Sequence, residues 1–318
     1  MRTDTAVPLI STGAALQPGG PRPWERRRAP QIGVVCCGRQ YQVSCILDGI
    51  RCAADEQRLA LSTTEADPSS PSALAASAAR LRRRGAAGIV VIALEDTLPE
   101  LPAELSTGQQ PIVIAGTCVP PGVTGAAGVA AVPGVAAVGT DHRFSASFAT
   151  RYLLCLGHRT VFHIAGRSRG SENESRVQGW RSALEGARAP VPDLEYAAAT
   201  EQSGYEAGLR LISGHPEASA ILCAHDSTAI GVLRACTAIG KRVPDDISVM
   251  GYNDLPEAAP ATVPLSTVRP NLRALGEQCI RVLMDSLGTG TEPRVQSVPA
   301  DLVIRNSTSR RIRSGAVV

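Results

Sequence analysis

From Gln31 onward, short apolar runs alternate with stretches of helical spacing. Ile32-Gly33-Val34-Val35 reads as a short buried strand, and Ile46, Ile50, Ala53 and Ala54 then recur at helical intervals up to Leu59. Ser70-Pro71 is a helix start, with Ser as N-cap and Pro in the first turn. That helix closes on Arg82, Arg83 and Arg84, which suit its negative end, with Gly85 as the C-terminal cap. Ile89 to Ala93 is a near-continuous apolar run of the kind buried in a parallel sheet. The alternation repeats: a helix from Asp141 through Leu156 to Gly157, a strand Val161–Ala165, and Arg176, Trp180 and Leu184 on one helix face. A strand Ile221–Ala224 follows, then a helix capped by Asp226 and ended by Gly240, then a strand Ile247–Gly251. Repeated β–α alternation predicts an α/β protein with parallel sheets and right-handed crossovers.

The 318 residues allow two such domains, at about 100–200 residues each. Hydrophobic residues make up 44%, enough for a sizeable core. The 32 basic and 29 acidic residues nearly cancel, which excludes a generally basic nucleic-acid coat. Lys241 is the only lysine, a coding bias and not a site. Leu105 to Thr140 carries no charge, but Pro111, Pro120, Pro121, Pro133 and many glycines exclude a spanning helix of about 20 strongly apolar residues. A strand at Ile112–Ala115 followed by a Gly/Ala-rich loop from Pro120 to Gly139 is expected instead. Nine cysteines, an odd number without paired C-x-x-C spacing, argue against a disulfide scaffold or zinc ribbon and for free buried thiols in a reducing cytosol. Residues 1–30 read as a disordered arm with no apolar signal-peptide core. Neither a metal nor an organic cofactor is expected. No H-E-x-x-H, G-x-S-x-G, Walker or dinucleotide fingerprint appears, and Gly166-Arg167-Ser168-Arg169-Gly170 lacks the last of these spacings, so an enzyme is not expected.

Several segments, in order, carry a resemblance. They are Leu156-Gly157-His158-Arg159; Arg176-x-x-Gly179-Trp180; Ser203-Gly204-Tyr205-x-x-Gly208; and Ala224-His225-Asp226-x-x-Ala229-x-Gly231-Val232-Leu233-Arg234-Ala235. Val243-Pro244-x-Asp246-Ile247-Ser248-Val249-x-Gly251-Tyr252, Pro264 to Arg269, and Leu302-Val303-x-Arg305-x-Ser307-Thr308 complete the set. Residues 31–308 are thereby similar to the LacI/GalR family of bacterial transcription regulators. The resemblance implies two Rossmann-like parallel-sheet subdomains of the periplasmic-binding-protein-like type I fold, joined by three crossings expected near Gly157, Val268 and Arg294. It divides the chain into an arm (1–30), a first subdomain (31–157 with 269–293), a second (158–268 with 294–308) and a basic tail (309–318). The family's N-terminal helix-turn-helix and hinge helix find no counterpart in residues 1–31. The expectation is a sensing core without its DNA reader, either a stand-alone sensor or the product of a truncated or misassigned start.

The resemblance also implies a small ligand between the subdomains, in agreement with the rule that ligands sit outside the carboxyl ends of parallel strands. Five residues are candidates. Arg176 matches the family's ligand-binding arginine, whose guanidinium suits paired hydroxyls or a carboxylate; otherwise it is a surface salt bridge on a helix. His225 stands where the family often has Asn, and is either a pH-sensitive ligand contact or an idle loop histidine. Asn253 stands where sugar binders usually have Asp; an amide still bonds a hydroxyl but loses a charge-assisted bond of roughly 1.5–3 kcal/mol. Tyr41 follows the first strand, where the family offers an apolar or aromatic contact. Asp141 aligns with a common family Asp, with a helix N-cap as the alternative. Ala199 stands where sugar binders place a stacking tryptophan. The implied function is a LacI-type regulator core: a cytoplasmic homodimer with a sugar-like effector, contacting operator DNA only in a longer product that supplies a helix-turn-helix. The alternative is a stand-alone cytoplasmic or transporter-associated solute-binding protein.

Overall fold

A computed structural model of the chain describes residues 30–38, 41–67, 70–93, 105, 110–116, 134–167, 171–289 and 295–311. The expectations for residues 1–29, for most of the Gly-rich segment, for Cys118, for 168–170 and for the last seven residues of the tail lie outside these. The elements run β1 (Gln31–Cys37), α1 (Tyr41–Glu56), β2 (Ala60–Ala66), α2 (Pro71–Arg83), β3 (Ala86–Ala93), β4 (Ile112–Ala115) and β5 (Val135–Thr140). Then come α3 (His142–Cys155), β6 (Phe162–Gly166), α4 (Ser171–Gly186), β7 (Glu195–Ala197), α5 (Glu201–Gly214), β8 (Ala220–Cys223) and α6 (Asp226–Ala238). The last are β9 (Ser248–Tyr252), a 3₁₀ turn (Pro256–Ala258), β10 (Ser266–Pro270), α7 (Leu272–Thr289), β11 (Val295–Val298) and β12 (Ala300–Val303).

Two six-stranded sheets result, ordered β11-β5-β4-β3-β1-β2 and β12-β10-β9-β8-β6-β7. Every pairing is parallel except β10 with β12. Sheets of this kind need both faces covered. In the first lobe α1 and α7 cover one face and α2 the other. In the second lobe α5 and α6 cover one face and α3 and α4 the other. That double cover is why the strands read as unbroken apolar runs. The Ser70 hydroxyl caps α2 as expected, accepting from Ala73 N at 3.2 Å, and Gly85 takes a left-handed φ of 87° just beyond it.

The chain passes between the sheets three times: between β5 and α3, between β10 and α7, and at Pro299 between β11 and β12. The first and third passages depart from the expected positions. Helix α3 was expected in the first subdomain, but its Ala149 and Leu153 are buried against Val161, Trp180 and Leu184 of the second. Strand β11 was expected in the second, yet pairs with β5 of the first. The loop expected through Gly139 is also corrected: residues 135–140 form β5, fully buried between β4 and β11. Its Ala, Gly and Val residues carry a strand because the neighbouring strands close over it, where local propensity alone is weak.

Among the described residues, no helix is long and apolar enough to cross a membrane. The eight described cysteines are free, and Cys36, Cys37, Cys223, Cys236 and Cys279 are buried.

Candidate functional site

The carboxyl ends of the two sheets bring the candidate residues together. His225 follows β8, Asn253 follows β9, Asp141 follows β5, and Tyr41 opens α1 after β1. Arg176 projects from α4 beneath this rim. It is 1% exposed, which overturns the alternative of a surface salt bridge. Its Nη1 donates to Ala224 O (3.1 Å) and its Nη2 to Glu172 Oε2 (2.5 Å), and the guanidinium lies 4.7 Å over the Tyr252 ring. Nε finds no hydrogen-bond partner among the described residues. A fully buried guanidinium requires such a carboxylate, and the Glu172–Arg176 spacing of four supplies it within one helix.

Around this pair lies a buried polar layer. His142 Nδ1 is 2.9 Å from the Tyr252 hydroxyl, and its Nε2 is 3.8 Å from Glu172. His163 Nδ1 donates to Leu222 O at 2.9 Å, which fixes the tautomer. Burial, with help from Arg176, pulls His163 down to about 4.

His225 occupies the N-cap position of α6 but makes no side-chain cap bond. Its ring instead meets the Asn253 amide, Nδ2 to Nδ1, at 3.5 Å. Burial first, then Arg176 and His163, pull its pKa down to about 3. Burial thus favours the neutral imidazole, with one ring nitrogen as donor and the other as acceptor. Asn253 holds a left-handed φ of 102° and donates its N–H to Val268 O at 2.8 Å.

Asp226 was expected to cap α6. It is the first residue inside the helix, and its carboxylate faces away, accepting from Thr267 Oγ1 (2.6 Å) and Leu255 N (2.7 Å). It thus fastens the loop after β9 and not its own helix. Burial raises it to about 7.

Asp141 caps α3, accepting from Phe144 N at 2.8 Å, so its geometry is that of the cap alternative, beside the first passage between lobes. Tyr41 is half-exposed, with Cys45 one turn further along α1, and within electrostatic reach of Asp254 and Arg269 on the opposite lobe. Ala199 offers no ring; its carbonyl accepts from Ser227 Oγ at 3.2 Å.

Sequence reasoning missed Glu172, Tyr252, Asp254 and Arg305. Glu172 was visible through its i, i+4 spacing to Arg176. Arg305 carried no local signal toward Asp254, since 51 residues separate them. Among the described residues no cluster of His, Cys, Asp or Glu is arranged to hold a metal.

Two mostly parallel-sheet lobes joined by three passages, with polar groups gathered where the strands end, define a two-lobed α/β protein. A model of the periplasmic binding protein-like domain matches residues 150–308. The chain belongs to that family. It is 31% identical over 175 residues to the HTH-type transcriptional repressor PurR of Haemophilus influenzae, covering 52% of each. It is 33% identical over 162 residues to the HTH-type transcriptional regulator CelR of Thermobifida fusca, covering 50% of this chain and 48% of that one. The chain thus spans about half the length of the curated relatives it matches. A solved complex of a transcriptional regulator CelR with cellobiose superposes with a TM-score of 0.71 at 26% identity, over 88% of this chain and 85% of that one. A lac repressor dimer bound to operator and an anti-inducer superposes with a TM-score of 0.72, over 90% and 96%; at 21% identity this is a likeness of fold.

Proposed function

We propose that the chain is the ligand-sensing and dimerisation core of a LacI-type transcription regulator, taking a small, uncharged, sugar-like effector between its lobes. One observation carries the reading. His225, Asn253 and Tyr41 all stand at the carboxyl ends of parallel strands, and the strong charges among them are already answered: Arg176 by Glu172, Asp254 by Arg269 and Arg305. What remains for a ligand is a neutral imidazole, an amide and a phenol, groups that suit hydroxyls and not a net charge. The CelR relative solved with cellobiose supports the same class. The missing aromatic platform at Ala199 favours a ligand held by hydrogen bonds over one held by stacking.

Binding would shift the balance between open and closed lobes by differential affinity. In a longer product that shift would reposition paired DNA readers on an operator, through an isologous homodimer. The curated relatives named above are transcription repressors and regulators, which favours this reading over a solute-binding protein of a transporter. The protein is read as cytoplasmic and non-catalytic.

A thermal-shift screen against neutral mono- and disaccharides, cellobiose and ribose included, tests the ligand class. At 100 times its Kd a true ligand stabilises by about 2.7 kcal/mol, several degrees in Tm for a chain this size. Stabilisation by sugar acids or sugar phosphates but by no neutral sugar would overturn the class. Dimerisation is tested by sedimentation equilibrium, where a monomer at micromolar concentration would count against it.

A further inference from the structure

We infer that Asp254 is a positioning residue that fastens the loop carrying Asn253 to the passage between the lobes that follows β10, and to the segment beyond β12. This rests on reading the cleft as a ligand site, and extends it from what touches a ligand to what carries the contact to the hinge.

The loop after β9 holds two consecutive non-glycine residues with positive φ, Asn253 at 102° and Asp254 at 50°. Such conformations are costly and persist only where the surroundings dictate them. Asp254 shows what dictates them here. Its Oδ2 accepts from Arg269 Nε at 2.6 Å, and its Oδ1 accepts from Arg305 Nη2 at 2.7 Å. Arg269 is the penultimate residue of β10, immediately before the passage to α7. Arg305 lies two residues beyond β12, at the end of that strand opposite the passage at Pro299. One carboxylate therefore ties the passage after β10 to the segment that follows β12. Arg305 is fixed at its other end by donation to Leu265 O at 2.7 Å.

The pairing is more than a surface ion pair. The Asp254 side chain is 11% exposed and that of Arg305 17%, so screening by solvent is limited. The loop is pinned again by Asn253 N to Val268 O (2.8 Å), within β10 itself. A ligand pulling on the Asn253 amide must therefore move Asp254, and through Arg269 the passage after β10.

The test is amide hydrogen exchange of the full chain, read by mass spectrometry without ligand. Asp254→Asn keeps the shape and removes the charge. Exchange should rise about tenfold in segments 266–272 and 303–306, with β1, β3 and β8 unchanged. A rise confined to 252–256, or a uniform rise in every strand, would overturn the inference, since either describes a residue that only stabilises its loop or its fold. Arg269→Gln, at the half-exposed partner, carries the same test if Asp254→Asn does not fold. Arg305→Lys retains a cation and should stay within about twofold of the parent; opening equal to that of Asp254→Asn would show that charge pairing is not what holds the passage. Because no ligand enters, the exchange result stands whatever the sugar screen finds. A ligand-free tie with no binding sugar would sink the cleft reading and leave the tie intact.

Discussion

Asp226 brings a carboxylate into the interior with hydrogen bonds but no cation beside it. Thr267, Leu255 N–H and the backbone at Tyr252 support the charge, while burial and the neighbouring Asp254 oppose it, leaving the group at about 7. A carboxyl raised in this way contributes stability when protonated, and loses that contribution as pH rises from about 4 through 7. Asp226→Asn removes the titration and keeps the shape. Urea unfolding of parent and variant should therefore shift in the variant's favour by on the order of 3 kcal/mol between pH 4 and pH 8. A gap that stays constant with pH would show that Asp226 is ionised throughout. Gly251 makes the seat possible, because a Cβ there would overlap Asp226 Oδ1.

At the scale of elements, the helix pairs that cover each sheet approach through glycines. Gly49 on α1 lies against Arg273 O of α7, and Gly276 on α7 against Ile46 O of α1, each leaving no room for a methyl group. Gly276→Ala should cost about 1–3 kcal/mol by overpacking. Gly186→Ala, at the open end of α4 with nothing within 4 Å, should be neutral or gain a few tenths of a kcal/mol. Equal effects in a denaturant titration would mean that α1 and α7 slide apart freely. These close approaches were not legible in the sequence, where Gly276 and Gly186 look alike. What was legible were the elements whose burial is complete: β3, β4, β6 and β8 stand out as apolar runs, and α2 announces itself through its cap. β5 was hidden because Val135–Thr140 continues a Gly- and Ala-rich stretch, and its strand state comes from β4 and β11 on either side. β7 and β12 were missed for a related reason: both are short edge strands with half-exposed faces. The passages were misplaced because α3 follows the first lobe in sequence but packs with the second. Motif order alone was enough to set His225 and Asn253 just after strands, where the structure has them, whereas Asp254's two arginines are visible only once β10 and β12 pair.

For the whole molecule, acid should be more damaging than base. His158, His163 and His225 are each held neutral by burial, at about 4, 4 and 3. A histidine lowered in the fold contributes stability that is whole above about 6.5 and is lost as pH falls toward its folded value. Over the same window Asp226 acts in the opposite sense. Three imidazoles against one carboxylate leave about two protons taken up on unfolding near pH 5. Stability should then fall by roughly 2–3 kcal/mol per pH unit below pH 6. The pH dependence of the urea midpoint checks this, and a flat profile between pH 6 and pH 4.5 would contradict it.

The account turns on the cleft holding a small neutral ligand against His225 and Asn253. The most direct measurement is a calorimetric titration of the strongest neutral sugar from the screen into the parent chain and into the His225→Ala/Asn253→Ala double variant, with circular dichroism to check folding. One site per chain in the parent, weakened about 30- to 150-fold in a folded double variant, is the expected result, since two hydrogen bonds are lost at about 1–1.5 kcal/mol each. Binding of equal strength in both would place the ligand elsewhere and contradict the account.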